Sequence, residues 1–365
     1  MRRDSNEENE KMSWESYVRK VTPYVPGEQP KDKNIIKLNT NECPYPPAPK
    51  VRELLKDLKY EEFKLYPDTE AYPLSKALSE YYHVSEEKIF VGVGSDDVLS
   101  MAYLTFFGSD KPVIFPDITY SFYDVWAELY RIPYKQIPLD ENFKINFKDY
   151  YSENTENGGV IIANPNAPVG TFEPVSKIEE VIKHNPDSIV IVDEAYIDFG
   201  GESALPLIDK YDNVLIVQTF SKSRAMAGMR IGYAFGCEKL IKYLKDVKFS
   251  FNSYTMNKTA IELGAVAVQD EAYFKETCNK IIATRERVKG ELSELGFTFP
   301  DSKANFIFAK HNTVSGDEIF NALKNAGIYV RHWNKDRISD YLRITIGTDE
   351  EMDKLIGFLR EYLKK

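Results

Sequence analysis

Cysteine is scarce in this sequence of 365 residues. Cys43, Cys237 and Cys278 are odd in number and widely spaced, so they support neither a disulfide framework nor a zinc motif, and a reducing cytoplasm is expected. Histidine is equally sparse, and His83, His184, His311 and His332 stand alone, leaving no metal cluster to propose. Long apolar runs are missing: nothing is long enough to span a bilayer. The N-terminal "MRRDSNEENEKMSWESY" has two arginines with no apolar run behind them, which argues against a signal peptide or an anchor. Positive charge is in deficit as well. With 47 Lys and Arg against 57 Asp and Glu, the net charge of −10 argues against a general binder of nucleic acid or membrane surfaces. An anionic small molecule remains compatible, because local arginines and helix N-termini decide that. No internal repeat is evident.

What is present has the balance of a globular protein with a sizeable core, 43% hydrophobic and 28% charged. Residues 1–35 read as a polar arm carrying "TPYVPGEQP". From there to about 255, short Val- and Ile-rich runs alternate with helical patterns. The runs "KIFVGVG", "KPVIFP", "GVIIANP", "SIVIVDE" and "NVLIVQT" predict buried strands of a mostly parallel sheet. Leu74, Ala77, Leu78 and Tyr81 share one helical face, and "SKIE" at 176–179 fits a capping box. Alternation of this kind predicts an α/β doubly wound domain. Residues 256–365 differ. Two strand-like runs, "NFIFAK" and "YLRITIG", flank a helix capped by "SGDE" and closed near Gly327, and a last helix carries Met352, Leu355, Ile356, Leu359 and Leu363 on one stripe. A smaller C-terminal α+β domain is expected there.

In open α/β sheets, ligands bind beyond the carboxyl ends of the strands. Gly94, Ser95, Asp96 and Asp97 stand where a strand passes into a helix; its free amides could cradle a phosphate, although an ordinary capped helix would look the same. Asp193, Glu194 and Tyr196 close another strand. A carboxylate there could hold a protonated ring nitrogen, bind magnesium in a nucleotide site, or cap the next turn. "TFSKSRAMAGMR" then places Lys222 where a buried strand runs out, beside Thr219, Ser221 and Arg230. A charged side chain in that position needs a partner or a reaction. An aldehyde-reactive lysine, a carboxylate and phosphate donors are together the parts that pyridoxal 5′-phosphate requires.

These motifs, with "KLYPDTEAYPL", "FPDITYSFY", "ANPNAPVGT", "VDEAYIDF", "YVRHWNK" and "YLRITIGT", resemble the fold-type I, pyridoxal-phosphate-dependent aminotransferases over nearly the whole chain after the arm. Within them the chain is most similar to the branch acting on histidinol phosphate. The resemblance implies that Lys222 binds the cofactor's aldehyde and shuttles a proton. It implies that Asp193 pairs with the ring nitrogen, Tyr196 bonds the ring hydroxyl and Tyr120 stacks on the ring. The phosphate would be held by Ser95, Asp96, Thr219, Ser221 and Arg230, with Tyr66 reaching over from the neighbouring subunit of a homodimer. Tyr24, Arg331 and Arg343 would bind the substrate. Where the family usually has asparagine, this chain has Ala167, leaving Tyr196 to bond the ring hydroxyl alone or with help from Asn166. The implied reaction is amino transfer between histidinol phosphate and 2-oxoglutarate. Threonine-phosphate decarboxylation and aromatic amino-acid transamination are alternatives within the fold. A non-catalytic nucleotide-binding protein built on Gly94 and Asp193 is the alternative outside it, and it leaves Lys222 and Arg230 without a reason.

Overall fold

The computed structural model describes residues 14–32 and 34–364; the first thirteen residues of the expected arm lie outside the described residues. β1 (Ile36–Lys37) precedes seven strands that form the main sheet: β2 (Ile89–Gly92), β3 (Val113–Pro116), β4 (Tyr134–Ile137), β5 (Gly159–Ala163), β6 (Ile189–Asp193), β7 (Val214–Thr219) and β8 (Gly232–Gly236). They lie in the order β2-β8-β7-β6-β5-β3-β4. The strands from β4 to β7 pair in parallel, whereas β8 runs antiparallel to both β7 and β2. The fold is α/β with a mostly parallel sheet.

Side-chain alternation along the central strands explains why both faces are covered. Val214 and Ile216 of β7 point into one apolar layer and Leu215 and Val217 into the other; Val190, Ile191 and Val192 of β6 divide in the same way. The first layer is closed by α1 (Pro49–Asp57), α2 (Tyr72–Tyr82), α5 and α7, the second by α3 (Ser95–Phe106), α4 (Tyr123–Tyr130) and α6. Here α5 spans Val175–Lys183, α6 Glu238–Phe251 and α7 Lys258–Val268. Burying each of these Val, Leu and Ile side chains contributes roughly 1.5–3 kcal/mol. Two strands of the main sheet escape the sequence pattern. β4 exposes Tyr134, Lys135 and Gln136, as an edge strand can, and β8 is a five-residue stretch bounded by glycines.

After the long α8 (Glu271–Glu294) come β9 (Phe297–Thr298), β10 (Phe306–His311), α9 (Gly316–Asn325), β11 (Ile328–Tyr329), β12 (Arg331–His332), β13 (Leu342–Thr345) and α10 (Asp349–Tyr362). The strands form an antiparallel sheet in the order β12-β13-β10-β9, with α8, α9 and α10 contributing to its apolar cluster. β1 pairs in parallel with β11, and Leu38 enters the same cluster. A segment early in the chain is therefore built into the C-terminal layer. Arg285 of α8, fully buried, ties the two parts of the chain by donating to Phe199 O (2.8 Å) and Ala304 O (2.9 Å).

Helix ends show which local signals act. Ser315 Oγ accepts the Glu318 amide as "SGDE" predicts, and Gly327 follows in the left-handed region at φ +78°. "SKIE" does not form a capping box. α5 begins at Val175 after Pro174, which places Ser176 inside the first turn with no side-chain cap bond. The capping box in the structure belongs to α10: Thr348 Oγ1 accepts the Glu351 amide (3.3 Å), and Glu351 Oε2 accepts the Thr348 amide (2.8 Å). Thr348→Ala is expected to cost about 1 kcal/mol, read as a lower urea midpoint with an unchanged slope. An unchanged midpoint would mean that packing of α10, not its cap, holds that end of the helix.

Candidate active site

β5 and β6 end level, because Ala163 pairs with Asp193, and β7 runs two residues past Val217, the partner of Asp193, to Thr219. Two cavities that share Thr40, Tyr120, Ala167, Tyr196 and Lys222 open above those ends. Lys222 stands in both. Its Nζ donates to Thr40 O (3.2 Å) and lies 5.6 Å from the Tyr196 ring centre. The turn that carries it is pinned on either side. Ser223 Oγ donates to half-buried Asp198 (2.5 Å); Arg224, which is buried, donates to Ala267 O (3.1 Å) and stacks over Phe274 at 4.1 Å. A lysine held by so rigid a turn can present its amine with little loss of side-chain freedom.

The inner cavity, ≈ 230 Å³, is lined by Ser95, Asp96, Asp193, Thr219, Ser221 and Arg230 among others. At its base β8 crosses the N-terminus of α3 so closely that a Cβ on Gly232 would lie 2.2 Å from the Gly94 carbonyl carbon and from the Ser95 nitrogen. Gly94 itself has φ +90°, and a Cβ there would meet the Arg230 guanidinium at 2.6 Å. Only glycine permits this approach, which brings Arg230 over the unpaired amides of a helix start. Arg230 pairs with Asp96 (3.1 Å) and reaches Ser221 Oγ at 3.4 Å, while Thr219 Oγ1 lies 3.0 Å from that same Ser221 oxygen. Helix amides, hydroxyls and a guanidinium make a cup for a phosphate-like anion.

Asp193 faces the cup across the same cavity. It accepts Tyr123 Oη (2.8 Å) and the Ala195 amide (3.1 Å). Burial raises its proton affinity to about 6, with these two donors opposing the shift. Such a carboxylate lacks a cation rather than a donor, and a protonated heterocycle nitrogen would supply one.

The outer cavity, ≈ 490 Å³, is lined by Tyr24, Asn41, Arg331, Trp333, Lys335 and Arg343 among others. The Arg343 guanidinium is half-buried in it. Nη2 donates to Asn39 O (2.9 Å), Nε has no partner, and burial pushes its proton affinity down. Trp333 lies 5.3 Å from both Arg343 and Arg331, and Arg331 contacts the Val25 and Pro26 carbonyls at 3.4 and 3.5 Å. Tyr24 stacks on Phe122 at 4.1 Å. Two guanidiniums that have no carboxylate partner among the described residues, facing one cavity, make a second anion site.

The structure brings most of the expected residues together, with Asn166 the one departure and Tyr66, expected to serve a neighbouring subunit, outside both cavities of its own chain. Asn166 lines neither cavity: its Oδ1 accepts from Thr119 (2.7 Å) and its Nδ2 donates to Ile118 O (2.9 Å), so its amide braces a loop and is not available to a ligand. Tyr66 lines neither cavity of its own chain. It is 81% exposed, and its ring lies tilted against Tyr254 with centres 4.5 Å apart. Tyr120 borders both cavities, with its hydroxyl donating to Asp96 (2.8 Å). Sequence reasoning passed over Tyr123, Asn41 and Trp333. Tyr123 stands three residues after Tyr120, a spacing that could have found it, whereas Asn41 carries no local signal.

Residues 33–359 match the family described as Aminotransferase class I and II. The chain is 52% identical over 353 residues to "Histidinol-phosphate aminotransferase" from Lactococcus lactis subsp. cremoris, covering 97% of this chain and 98% of that protein. A protein of the same name from Brachyspira hyodysenteriae is 48% identical over 348 residues, covering 95% and 98%. Among solved structures, histidinol-phosphate aminotransferase from Sinorhizobium meliloti in complex with pyridoxal-5′-phosphate shares the fold, with TM-score 0.83 and 23% identity over 90% of this chain and 91% of that one.

The cofactor-free protein offers a check on Asp193. Its carboxyl binds a proton more tightly folded, at about 6, than at the ordinary 3.8, so the unfolded chain ionises first as pH rises. The folded state is therefore penalised progressively between these two values, by at most about 3 kcal/mol above them. Asp193→Asn can still bond Tyr123 and carries no charge. It is expected to melt above the wild type at pH 7 and level with it below pH 4; parallel pH profiles of the two proteins would refute the assignment.

Proposed function

Because this chain belongs to the class I and II aminotransferases, we propose that it moves an amino group between histidinol phosphate and 2-oxoglutarate. The observation that carries this reading is the 52% identity, over 97% of the chain, to a protein named for that activity. Supporting it are two anion sites of unlike design at either end of one cleft, with a lysine between them.

The inner cavity fits pyridoxal phosphate by the chemistry of its donors. The cup of α3 amides, Ser221 and Arg230 would take the phosphate, and the cation-deficient Asp193 would hold a proton on the ring nitrogen. Bound there, the cofactor supplies a carbonyl that condenses with amines and a protonated ring that accepts the electron pair left when Cα loses its proton. Lys222 would move that proton, a reading supported by its lining both cavities and by its Nζ donating to Thr40 O. Arg343, with Arg331 beside it across Trp333, would take the substrate phosphate in one half of the reaction and a carboxylate in the other. Tyr24 on its Phe122 platform would close the cleft over the substrate.

A homodimer belongs to the same reading. Tyr60, Phe63, Leu65 and Tyr66 are exposed, as are Phe251 and Tyr254, too many large apolar groups for a surface left to water. On this account Tyr66 serves the phosphate cup of a second copy. A cytoplasmic location is part of the proposal, in keeping with three free cysteines. Among the described residues no helix is long and apolar enough to cross a membrane.

The test follows cofactor absorbance in separate half-reactions with histidinol phosphate, threonine phosphate and phenylalanine. Rapid conversion by histidinol phosphate alone, reversed by 2-oxoglutarate, is expected. Conversion by phenylalanine alone would make the protein an aromatic aminotransferase, and carbon dioxide from threonine phosphate a decarboxylase. Arg343→Gln is expected to raise KM for histidinol phosphate by about tenfold or more. Co-expressed Lys222→Ala and Tyr66→Ala chains, each inactive alone, are expected to recover roughly a quarter of wild-type activity through hybrid dimers carrying one intact site. No recovery would place Tyr66 outside the site.

A further inference from the structure

Tyr196 borders both cavities, and its hydroxyl carries the one bond seen there: Asn41 Nδ2 donates to it at 2.9 Å. The orientation of that amide is set by the bonds around it. The Asn41 backbone N–H donates to Thr345 Oγ1 (3.0 Å), so the Thr345 proton is free for Asn41 Oδ1, which lies 3.0 Å away. Oδ1 is thereby an acceptor and the opposite end of the amide, facing Tyr196, is the NH₂ group. Asn41 cannot turn away. Its carbonyl accepts from Asn305 Nδ2 (3.0 Å), its backbone is left-handed at φ 57°, and it is 1% exposed.

A phenol oxygen that accepts from an amide must direct its own proton elsewhere, and the space it faces is the cavity. That matters because the side chain at 167 is a methyl group bordering both cavities, and Asn166 is held by Thr119 and Ile118. No amide donor therefore stands at that side of the inner cavity. We infer that Asn41 is a positioning residue that orients the Tyr196 hydroxyl proton into the cavity, making Tyr196 the donor to the ring oxygen of the bound cofactor in place of an asparagine at 167. The inference rests on the pyridoxal phosphate reading but on no particular substrate.

The experiment is a pH titration of the visible absorption band of the cofactor-loaded protein, without substrate. A donor to the ring oxygen favours its anionic form and lowers the midpoint; losing the donor raises it. In Asn41→Asp the group facing Tyr196 becomes an acceptor and captures the phenol proton. The midpoint is expected to rise by on the order of one pH unit or more. The other charged groups that line the cavities (Glu42, Asp96, Asp193, Lys222 and Arg230 in the inner one; Asp117, Asp124, Arg331, Lys335, Asp336, Arg337 and Arg343 in the outer) stay the same, but the new carboxylate adds charge of its own. Tyr196→Phe separates the two effects. In that background the Asn41→Asp shift is expected to shrink by at least half, and Ala167→Asn added to Asn41→Asp is expected to bring the midpoint back toward wild type. Thr345→Val leaves Asn41 in place and frees its amide to turn, so it serves if Asn41→Asp does not fold; a smaller rise is expected. An equal Asn41→Asp shift with and without the Tyr196 hydroxyl would overturn the inference, as would folded Asn41→Asp or Thr345→Val protein with a wild-type midpoint. The readout involves no substrate, so a protein that proves not to use histidinol phosphate would still give the result.

Discussion

Parallel pairing of β5, β6 and β7 in register makes three segments leave the sheet side by side, and what sits above that edge depends on it. A side chain at such an edge is screened from water by apolar layers on both faces, so any polar group placed there is desolvated. Asp193 shows the consequence: it is deeply buried, with two donors and no cation, and its proton affinity is pushed up. The same edge that makes a carboxylate costly makes it selective for a cationic partner. Lys222, on the neighbouring segment, shares the cavity without pairing with it.

β8 imposes the second constraint. Running against β7, it brings Gly232 level with Thr219 and against Gly92. Two glycines, 232 and 94, then let the sheet, the start of α3 and the Arg230 guanidinium approach within distances that no side chain would allow. The helix start alone would be an unremarkable cap. With a guanidinium laid across it, the site concentrates positive potential in a protein of net charge −10, which is how an acidic chain can favour an anionic ligand.

Residues 36–42 join these parts. β1 anchors the segment on β11, Leu38 enters the C-terminal core, the Asn39 carbonyl holds Arg343, the Thr40 carbonyl accepts from Lys222, and Asn41 holds Tyr196. A few consecutive residues thus touch the lysine, the tyrosine and the arginine of the cleft. A shift of this segment would move all three together, so the geometry of the inner and outer cavities is coupled through this backbone as well as through the residues the two cavities share.

Much of this was legible in the chain. Runs such as "NVLIVQT" can be little other than buried strands, because Val, Ile and Leu at consecutive positions must be covered on both faces, and the polar residues at their ends then fall on one edge by topology. Lys222, Asp193 and Arg230 were found that way. Local motifs were less dependable: "SGDE" caps a helix, whereas "SKIE" does not, since with Pro174 at the cap position its helix starts two residues early. Asn166, adjacent to Ala167 in sequence, points away and braces a loop, while the amide that reaches Tyr196 comes from residue 41. Apolar periodicity and strand-end chemistry are properties of neighbouring residues, so the sequence by itself determined the sheet and the kind of chemistry at its edge. Which hydroxyl meets which amide depends on segments far apart in the chain arriving at one point, and only the tertiary structure decided that.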